Sequence, residues 1–267
     1  MKQRYFIALL SLMLLVVYSV QAANITVQFN TRSWDKDKKE VVTTINEAEC
    51  ILIEGQNDEW QGLGQKGGEF YYAVKGNVKR KTLNCFGVVH LVLLDGATLT
   101  CTGGIKVLET NGCDLHIHSQ SDGQSEGRIT ATNSYQGAAG IGSSTDMRAG
   151  NIFIHGGTIN ATGGEYAAGI GGGSSEEKYG VGAGRIYIYA GIVTAKGGDK
   201  RQASEVVVRG EITMMTLASC MSMAAPSKPP AAKWVPAWAV VAPGTLGIIS
   251  VRELEHMVAA SMFMVES

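Results

Sequence analysis

The sequence has no excess of charge of either sign, since 23 lysine and arginine residues stand against 24 aspartate and glutamate residues. Nucleic-acid binding needs a concentrated basic surface, and the KRK segment at 79–81 is too short to supply one. The glycine-rich part of the chain also lacks an apolar run long enough to cross a bilayer. We therefore expect no nucleic-acid partner and no membrane span in the mature chain.

Residues 1–22 have the pattern of a cleavable export signal. Lys2 and Arg4 precede an apolar run at 6–17, and the small residue Ala22 suits the cleavage site. Cleavage would leave Ala23 first, and because this residue is not cysteine, a lipid anchor is not indicated. We expect an extracellular or cell-surface protein.

Of the five cysteines, Cys220 lies in the segment 201–267, and the other four lie in the exported region before it, where disulfides can persist. They are Cys50, Cys85, Cys101 and Cys113, and their pairing does not follow from the sequence. For Cys101 and Cys113 we favour small buried hydrophobic residues over a disulfide. Neither has a histidine and an acid at the spacing of an activated nucleophile, so we predict no catalytic cysteine.

Glycine is over-represented, with 34 of 267 residues, and it recurs in repeated phrases. The segment IFIHGGTINATGG at 152–164 matches IYIYAGIVTAKGG at 186–198. The segment VLLDGATLTCTGG at 92–104 also matches 152–164, at an offset of 60 residues. Short alternating segments joined by glycine pairs are typical of strands and tight turns. Units of about 30 residues that cannot bury their own apolar face stack on their neighbours. The sequence therefore predicts an all-β parallel β-helix, or β-solenoid.

In such a stack, equivalent residues of successive coils form columns about 4.8 Å apart. We predict an inward column of Ile152, Ile154 and Ile159 under Ile186, Ile188 and Val193, with Ala161 under Ala195 and Cys101 in the same column. The AGIG segments at 139–142 and 168–171 would each place one buried isoleucine between glycines that adopt turn conformations.

The expected domain organisation has four parts. A signal peptide at 1–22 precedes an N-terminal β cap at 23–86 that shields the open edge of the sheet. Solenoid repeats follow at 87–200. The remaining segment, 201–267, is expected to be a disordered or misfolded tail.

This tail has a composition unlike the rest, because all five prolines and seven of the ten methionines lie beyond residue 210. The segment RQASEVVVRG at 201–210 stands where another AGIGGG is expected. A set of codons that encodes this segment also encodes AGIGGG when it is read one base out of frame. Methionine and tryptophan have one codon each, so some residue pairs give glycine in the shifted frame whatever codons are used. These pairs include Met223-Ala224, Trp234-Val235 and Met257-Val258. We predict a frameshifted reading of at least one more coil, which sequencing of the encoding DNA would test. Any C-terminal anchor in the intact gene is invisible here.

Outward residues of the first strand of each unit form two predicted columns. One holds Leu93, His116, Phe153 and Tyr187, and the other holds Asp95, His118, His155 and Tyr189. Aromatic rings along a sheet could stack on sugar rings, or they could simply stabilise the sheet as cross-strand ladders. The candidate carbohydrate-binding residues are His116, Phe153, His155, Tyr187 and Tyr189, with Tyr135 and Tyr166 in loops before the AAGI segments.

Metal binding has two candidate locations. Asp95, His118 and His155 share one predicted column, although imidazoles in a single column would be parallel and not convergent. Asp146, Glu176 and Glu177 lie in the loops after the GIG segments, where carboxylates could hold calcium. No other cofactor is expected.

The phrases GNV at 76–78, VVHLVLLDGATLTCTGGIKV at 88–107 and GGTINATGGEYAAGIGGG at 156–173 resemble the secreted, glycine-rich carbohydrate-binding β-solenoid proteins of gut bacteria. The resemblance spans roughly 70–198 and implies an extracellular, right-handed parallel β-helix related to calcium-dependent pectin-binding helices. It carries over no functional residue, because the glycine motifs do not define a site.

Three functions remain open from the sequence. The first is a non-catalytic glycan-binding or adhesive surface protein, and the second is a purely structural surface spacer. The third is an enzyme of the polysaccharide-lyase type, which would need a base near the α-proton and cations to stabilise the enolate. Arg128 and Arg185 are the only bases we could name for it.

Overall fold

The computed structural model describes residues 23–123, 126–175, 182 and 184–198, with three short strands near the C-terminus. The predicted export signal and most of the segment 201–267 lie outside these residues. The expected disorder of the tail and the reading-frame hypothesis therefore stay predictions.

Strands make up most of the described residues, and one 3-10 helix, Glu109–Asn111, is the only helical element among them. None of this described helical structure has the length and apolar character that a membrane crossing would need. The strands are β1 (Asn24–Asp35), β2 (Glu40–Ile53), β3 (Trp60–Val74), β4 (Asn77–Arg80), β5 (Thr82–Leu93), β6 (Thr98–Cys101), β7 (Ile105–Val107), β8 (Asp114–Ser119), β9 (Arg128–Thr132), β10 (Ile141–Gly142), β11 (Asn151–Ile154), β12 (Thr158–Thr162), β13 (Ile170–Gly171), β14 (Ile186–Ile188), β15 (Ile192–Lys196), β16 (Glu205–Arg209), β17 (Thr216–Leu217) and β18 (Ala239–Val240).

Parallel pairing winds the strands from β3 to β15 into five coils with three faces, which confirms the predicted β-helix. Face 1 contains the first halves of β3 and β5, followed by β7, β10 and β13. Face 2 contains the second halves of β3 and β5, followed by β8, β11 and β14. Face 3 contains β4, β6, β9, β12 and β15.

The inward columns have the predicted composition. Ile152 and Ile154 pair with Ile186 and Ile188, and Ile159 pairs with Val193; all six side chains are buried. Cys101, Ala131, Ala161 and Ala195 share one column through successive pairings. Each coil alone exposes this apolar surface to water, so burial between neighbouring coils holds the stack together.

The glycines of the repeated phrases lie where backbones approach too closely for a side chain. Ile141 and Ile170 pair with each other inside the stack, as the AGIG segments predict. Beside them, Gly142 has a φ of +142°, and a Cβ there would overlap the carbonyl group of Gly171 in the next coil. The repeated glycine is therefore a requirement of coil spacing at this turn.

The N-terminal segment contains a hairpin and then the first coil. β1 and β2 pair antiparallel along their length, and the end of β2 pairs parallel with β3 at Ile51–Ile53. Gln56 forms a parallel bridge with Lys79, so this segment also covers the edge of face 3. The parallel coils begin at Trp60, inside the range 23–86 expected for the cap. Sequence comparison missed this coil because an irregularity between Gly64 and Glu69 interrupts its match to the repeats.

The parallel stack ends at β15 in the described part of the chain. β16 pairs with β15 in the antiparallel direction, from Glu205 opposite Lys196 to Arg209 opposite Ile192. β17 and β18 pair antiparallel with each other.

Candidate functional site

A continuous stack of rings runs along the outside of face 2, which we call the outer ring column. Ring centroids are 4.2 Å apart from Tyr71 to His90, 4.6 Å from His90 to His116, and 4.3 Å from His116 to Phe153. The step from Phe153 to Tyr187 is 5.0 Å, and interplanar angles along the column are 6–19°. Because every second residue of a strand points outward, in-register coils place these rings directly over one another.

A second column of rings on face 2 is buried, and we call it the covered column. It contains His118, His155 and Tyr189, which are 1%, 4% and 9% exposed. His155 and His118 stack with centroids 4.4 Å apart, and the ring of Phe29 in β1 packs edge-on against His118 at 4.7 Å. β1 therefore covers His118 and His155, and all three side chains, which the sequence pattern placed on the surface, are buried.

Backbone and side-chain groups of β1 hold the histidines of the covered column. The Nδ1 of His118 lies 3.2 Å from the carbonyl oxygen of Asn30 and 3.3 Å from the hydroxyl of Thr31. The Nδ1 of His155 lies 2.7 Å from the carbonyl oxygen of Arg32. The guanidinium of Arg32 donates to the carbonyl oxygen of His155 and, at 2.5 Å, to the carboxylate of Asp122. These contacts fix both imidazole rings in position.

Ring nitrogens of the two columns meet edge to edge. His90 Nδ1 lies 3.0 Å from His118 Nε2, and His116 Nδ1 lies 3.1 Å from His155 Nε2. On the outer side, His90 Nε2 lies 3.0 Å from a carboxylate oxygen of Glu69, which also accepts the Tyr71 hydroxyl at 2.9 Å. The four histidines form one connected cluster.

Burial keeps these imidazoles uncharged. It lowers the pKa of His116 to about 3 and the pKa of His155 to about 4. Burial also lowers the pKa of His118, and it lowers the pKa of His90 against the opposing effect of the Glu69 carboxylate. The cluster is thus a set of neutral donors and acceptors at physiological pH.

The predicted columns were wrong in the second coil. His90 and Val92 occupy the outward positions opposite His116 and His118, whereas Leu93 is fully buried and pairs with Ser119. Asp95 lies in an exposed turn and accepts a hydrogen bond from Ser121, so it does not join a metal site with His118 and His155.

The error has a simple cause. Six residues separate Leu91 from the next strand at Thr98, whereas three separate Ile154 from Thr158, so the offset of 60 holds only on face 3. The apolar–polar–apolar alternation of Val89, His90 and Leu91 is the sequence signal that could have placed His90.

A row of mostly polar residues, which we call the polar row, runs beside the outer ring column, and Val88 interrupts it between Glu69 and Asp114. Glu69, Asp114 and Asn151 precede the ring positions by two residues in their strands, and the Asn151 amide donates to the Asp114 carboxylate at 2.8 Å. Arg185, which is exposed, continues the row through its backbone amide, which donates to Asn151. Sequence reasoning missed this row because its residue types differ from coil to coil.

The loop candidates are distributed along a different edge. Tyr135 is 54% exposed, while Tyr166 is half-buried and has a φ of +66°. The pairing of Ile141 with Ile170 sets Tyr135 level with Gly164 and not with Tyr166, so the two tyrosines are not equivalent. Asp146 is exposed, and Glu176 and Glu177 lie outside the described residues. The calcium site therefore stays a prediction.

The side chains considered for catalysis are not brought together. All four cysteines in the described residues are buried free thiols. Burial raises the pKa of Cys50 to about 11 and of Cys101 to about 12, so these thiols are protonated at neutral pH. Arg128 belongs to β9 on face 3, and Arg185 lies at the start of β14 on face 2.

Comparison with known proteins supports the fold. Residues 154–174 match a family model described as "Beta helix repeat". A search of curated proteins and a search of solved structures gave no match. The matched stretch contains β12 and β13, which lie in adjoining coils, and over it the chain is similar to β-helix repeats.

Proposed function

We propose that this chain is an exported, non-catalytic β-solenoid that binds a polysaccharide along face 2. The observation that carries the proposal is the pairing of the outer ring column with the polar row beside it. Glycan-binding surfaces combine apolar contact for carbon-bound hydrogens with polar groups for the hydroxyls. The five rings extend over about 19 Å, at the roughly 4.8 Å spacing of neighbouring strands.

The mode of contact differs from ring-on-ring stacking with sugars. Faces of the internal rings pack on each other, so Phe153 and His116 offer their edges to a ligand. A glycan chain lying along the column would contact these edges, and its hydroxyls would bond with Asn151 and Asp114 in the polar row. Tyr189 and His155 are buried and would not take part.

A non-catalytic role is supported by the burial of the described thiols and by the positions of the two arginines. The described thiols are buried, and the two arginines considered for a lyase reaction lie on different faces. Incubation of the protein with pectin should therefore produce no unsaturated uronate absorbance. An increase in that absorbance would overturn the non-catalytic part of the proposal.

Affinity electrophoresis tests the binding directly. Migration of the purified full chain should be retarded in gels that contain one of polygalacturonate, soluble cellulose or mucin glycans. The double variant Phe153→Ala/Tyr187→Ala should lose that retardation, since both side chains belong to the outer ring column. Trp60→Ala, which removes an exposed aromatic side chain from face 1, serves as the matched control and should migrate like the unsubstituted chain.

A second candidate function is a structural surface spacer. It is favoured because the faces of the rings stack on neighbouring rings and are not open to a ligand. Aromatic pairs of this kind stabilise a sheet without any ligand. If no polysaccharide retards the chain, and the double variant loses only thermal stability, the spacer replaces glycan binding.

A further inference from the structure

The histidine cluster combines features of a metal site that do not depend on glycan binding. Within each column the imidazoles are parallel, but between columns their nitrogens face each other. His90 Nδ1 and His118 Nε2 are 3.0 Å apart, and one nitrogen each from His90, His116 and His118 lie within 4.8 Å of one another. Convergence is therefore achieved across the columns.

Hydrogen bonds on the far sides of the rings favour the tautomers that ligate a metal. His118 can donate from Nδ1 to the carbonyl oxygen of Asn30, which leaves a lone pair on Nε2. His90 can donate from Nε2 to the Glu69 carboxylate, which leaves Nδ1 to face the same point. Histidines that bind metals usually donate their other N–H to a carboxylate or a backbone carbonyl.

The distances fit a tetrahedral ion with a small adjustment. Zinc–nitrogen bonds of about 2.0–2.1 Å place two ligand nitrogens about 3.3 Å apart in tetrahedral geometry. The pair formed by His90 and His118 is already close to this separation. A nitrogen of His116 lies within 4.8 Å of the other two, so a displacement of its ring within the plane of the stack would bring it closer. Water would complete the coordination.

The donor set and its surroundings identify the class of ion. Neutral imidazoles suit zinc, copper and nickel, whereas calcium and magnesium require oxygen ligands. The Glu69 carboxylate, which is 57% exposed, supplies a negative charge on the far side of His90. The positive charge of Arg32 is paired with Asp122 on the other side of the covered column. We infer that His90, His116 and His118 form a binding site for one divalent transition-metal ion of the zinc and copper class.

Equilibrium dialysis of the purified full chain against zinc chloride, with bound zinc counted by mass spectrometry, tests the site. We expect saturable binding of one zinc ion per chain, without added glycan. X-ray absorption at the zinc edge should show imidazole nitrogens at about 2.0–2.1 Å. Absence of saturable binding, or a coordination sphere without imidazole, would overturn the inference.

Surface variants keep the test independent of folding. Glu69→Gln removes only the carboxylate that orients His90 and should weaken zinc affinity about 10–100-fold. His116→Gln replaces the half-buried ligand and should abolish binding at the zinc concentration that saturates the unsubstituted chain. His256→Gln, the matched control outside the described residues, should bind zinc normally. Loss of binding in the control, or full binding in both of the other variants, contradicts the assignment.

Discussion

The coil spacing at Gly142 makes a quantitative prediction about two glycines. Gly142 and Gly55 both have positive φ, +142° and +75°, which side chains rarely adopt. They differ in space, because a Cβ at Gly55 would meet nothing within 4 Å, whereas one at Gly142 would overlap the Gly171 oxygen and lie 2.8 Å from its carbon. Replacing each glycine by alanine therefore separates backbone strain from the packing of one coil on the next.

The expected costs follow from these surroundings. Gly55→Ala should lose about 1 kcal/mol of unfolding free energy, which is the strain of alanine in a left-handed conformation. Gly142→Ala has similar or greater strain, and it adds an overlap worth about 1–3 kcal/mol. It also displaces the Gly171 oxygen that accepts a hydrogen bond from the Ser143 amide at 3.0 Å, at about 1 kcal/mol. The total for Gly142→Ala is about 4 kcal/mol.

Urea denaturation followed by circular dichroism measures both variants against the unsubstituted chain. The difference between the two alanine variants should be at least about 2 kcal/mol, since only one meets the neighbouring coil. Equal losses at the two positions would show that Gly171 does not lie over Gly142, and the reasoning would fail.

Two further predictions concern buried groups. In a Cys220→Ser background, the native chain should not react with a thiol reagent at pH 8, because burial raises the pKa of Cys50 to about 11 and Cys101 to about 12; four thiols should react after unfolding, and fewer would reveal a disulfide. In the presence of a chelator, stability should be complete above about pH 6.5 and should fall as the pH decreases towards 4. The reason is that His155 and His116 have folded pKa values of about 4 and about 3, so the unfolded chain binds protons first as the pH falls. The unfolding free energy then decreases by up to about 1.4 kcal/mol per pH unit for each histidine. His155→Gln should flatten this decline, and an unchanged slope would show that His155 is not buried as an uncharged imidazole.

The inward-facing residues of the coils could be predicted from the sequence, because equivalent positions have the same surroundings in successive coils. Ile154 and Ile188 fill the same position in successive coils, so the same residue type recurs at a fixed offset. Gly140 and Gly169 recur for the same reason, since a Cβ at either would meet the backbone of a neighbouring coil. The same residue type at equivalent positions of two repeats therefore indicates that these positions contact each other.

The surroundings of the outward-facing residues were harder to predict, because these residues contact parts of the chain outside the repeats. Nothing in the local sequence shows that β1 covers His118 and His155 from more than 80 residues away. The three-residue insertion before Thr98 shifted one strand against the next, so His90 was missed and Asp95 was wrongly included. Residues that differ between coils, such as those of the polar row, carry no repeat signal at all.

An experimental structure of the chain, obtained by crystallography, is the most direct test of the stacked coils. The account predicts that Ile154 lies between Ile117 and Ile188 in one parallel sheet, with Phe153 over His116 on the outer surface. A structure in which Ile154 and Ile188 belong to different sheets, or pair in antiparallel strands, would contradict it.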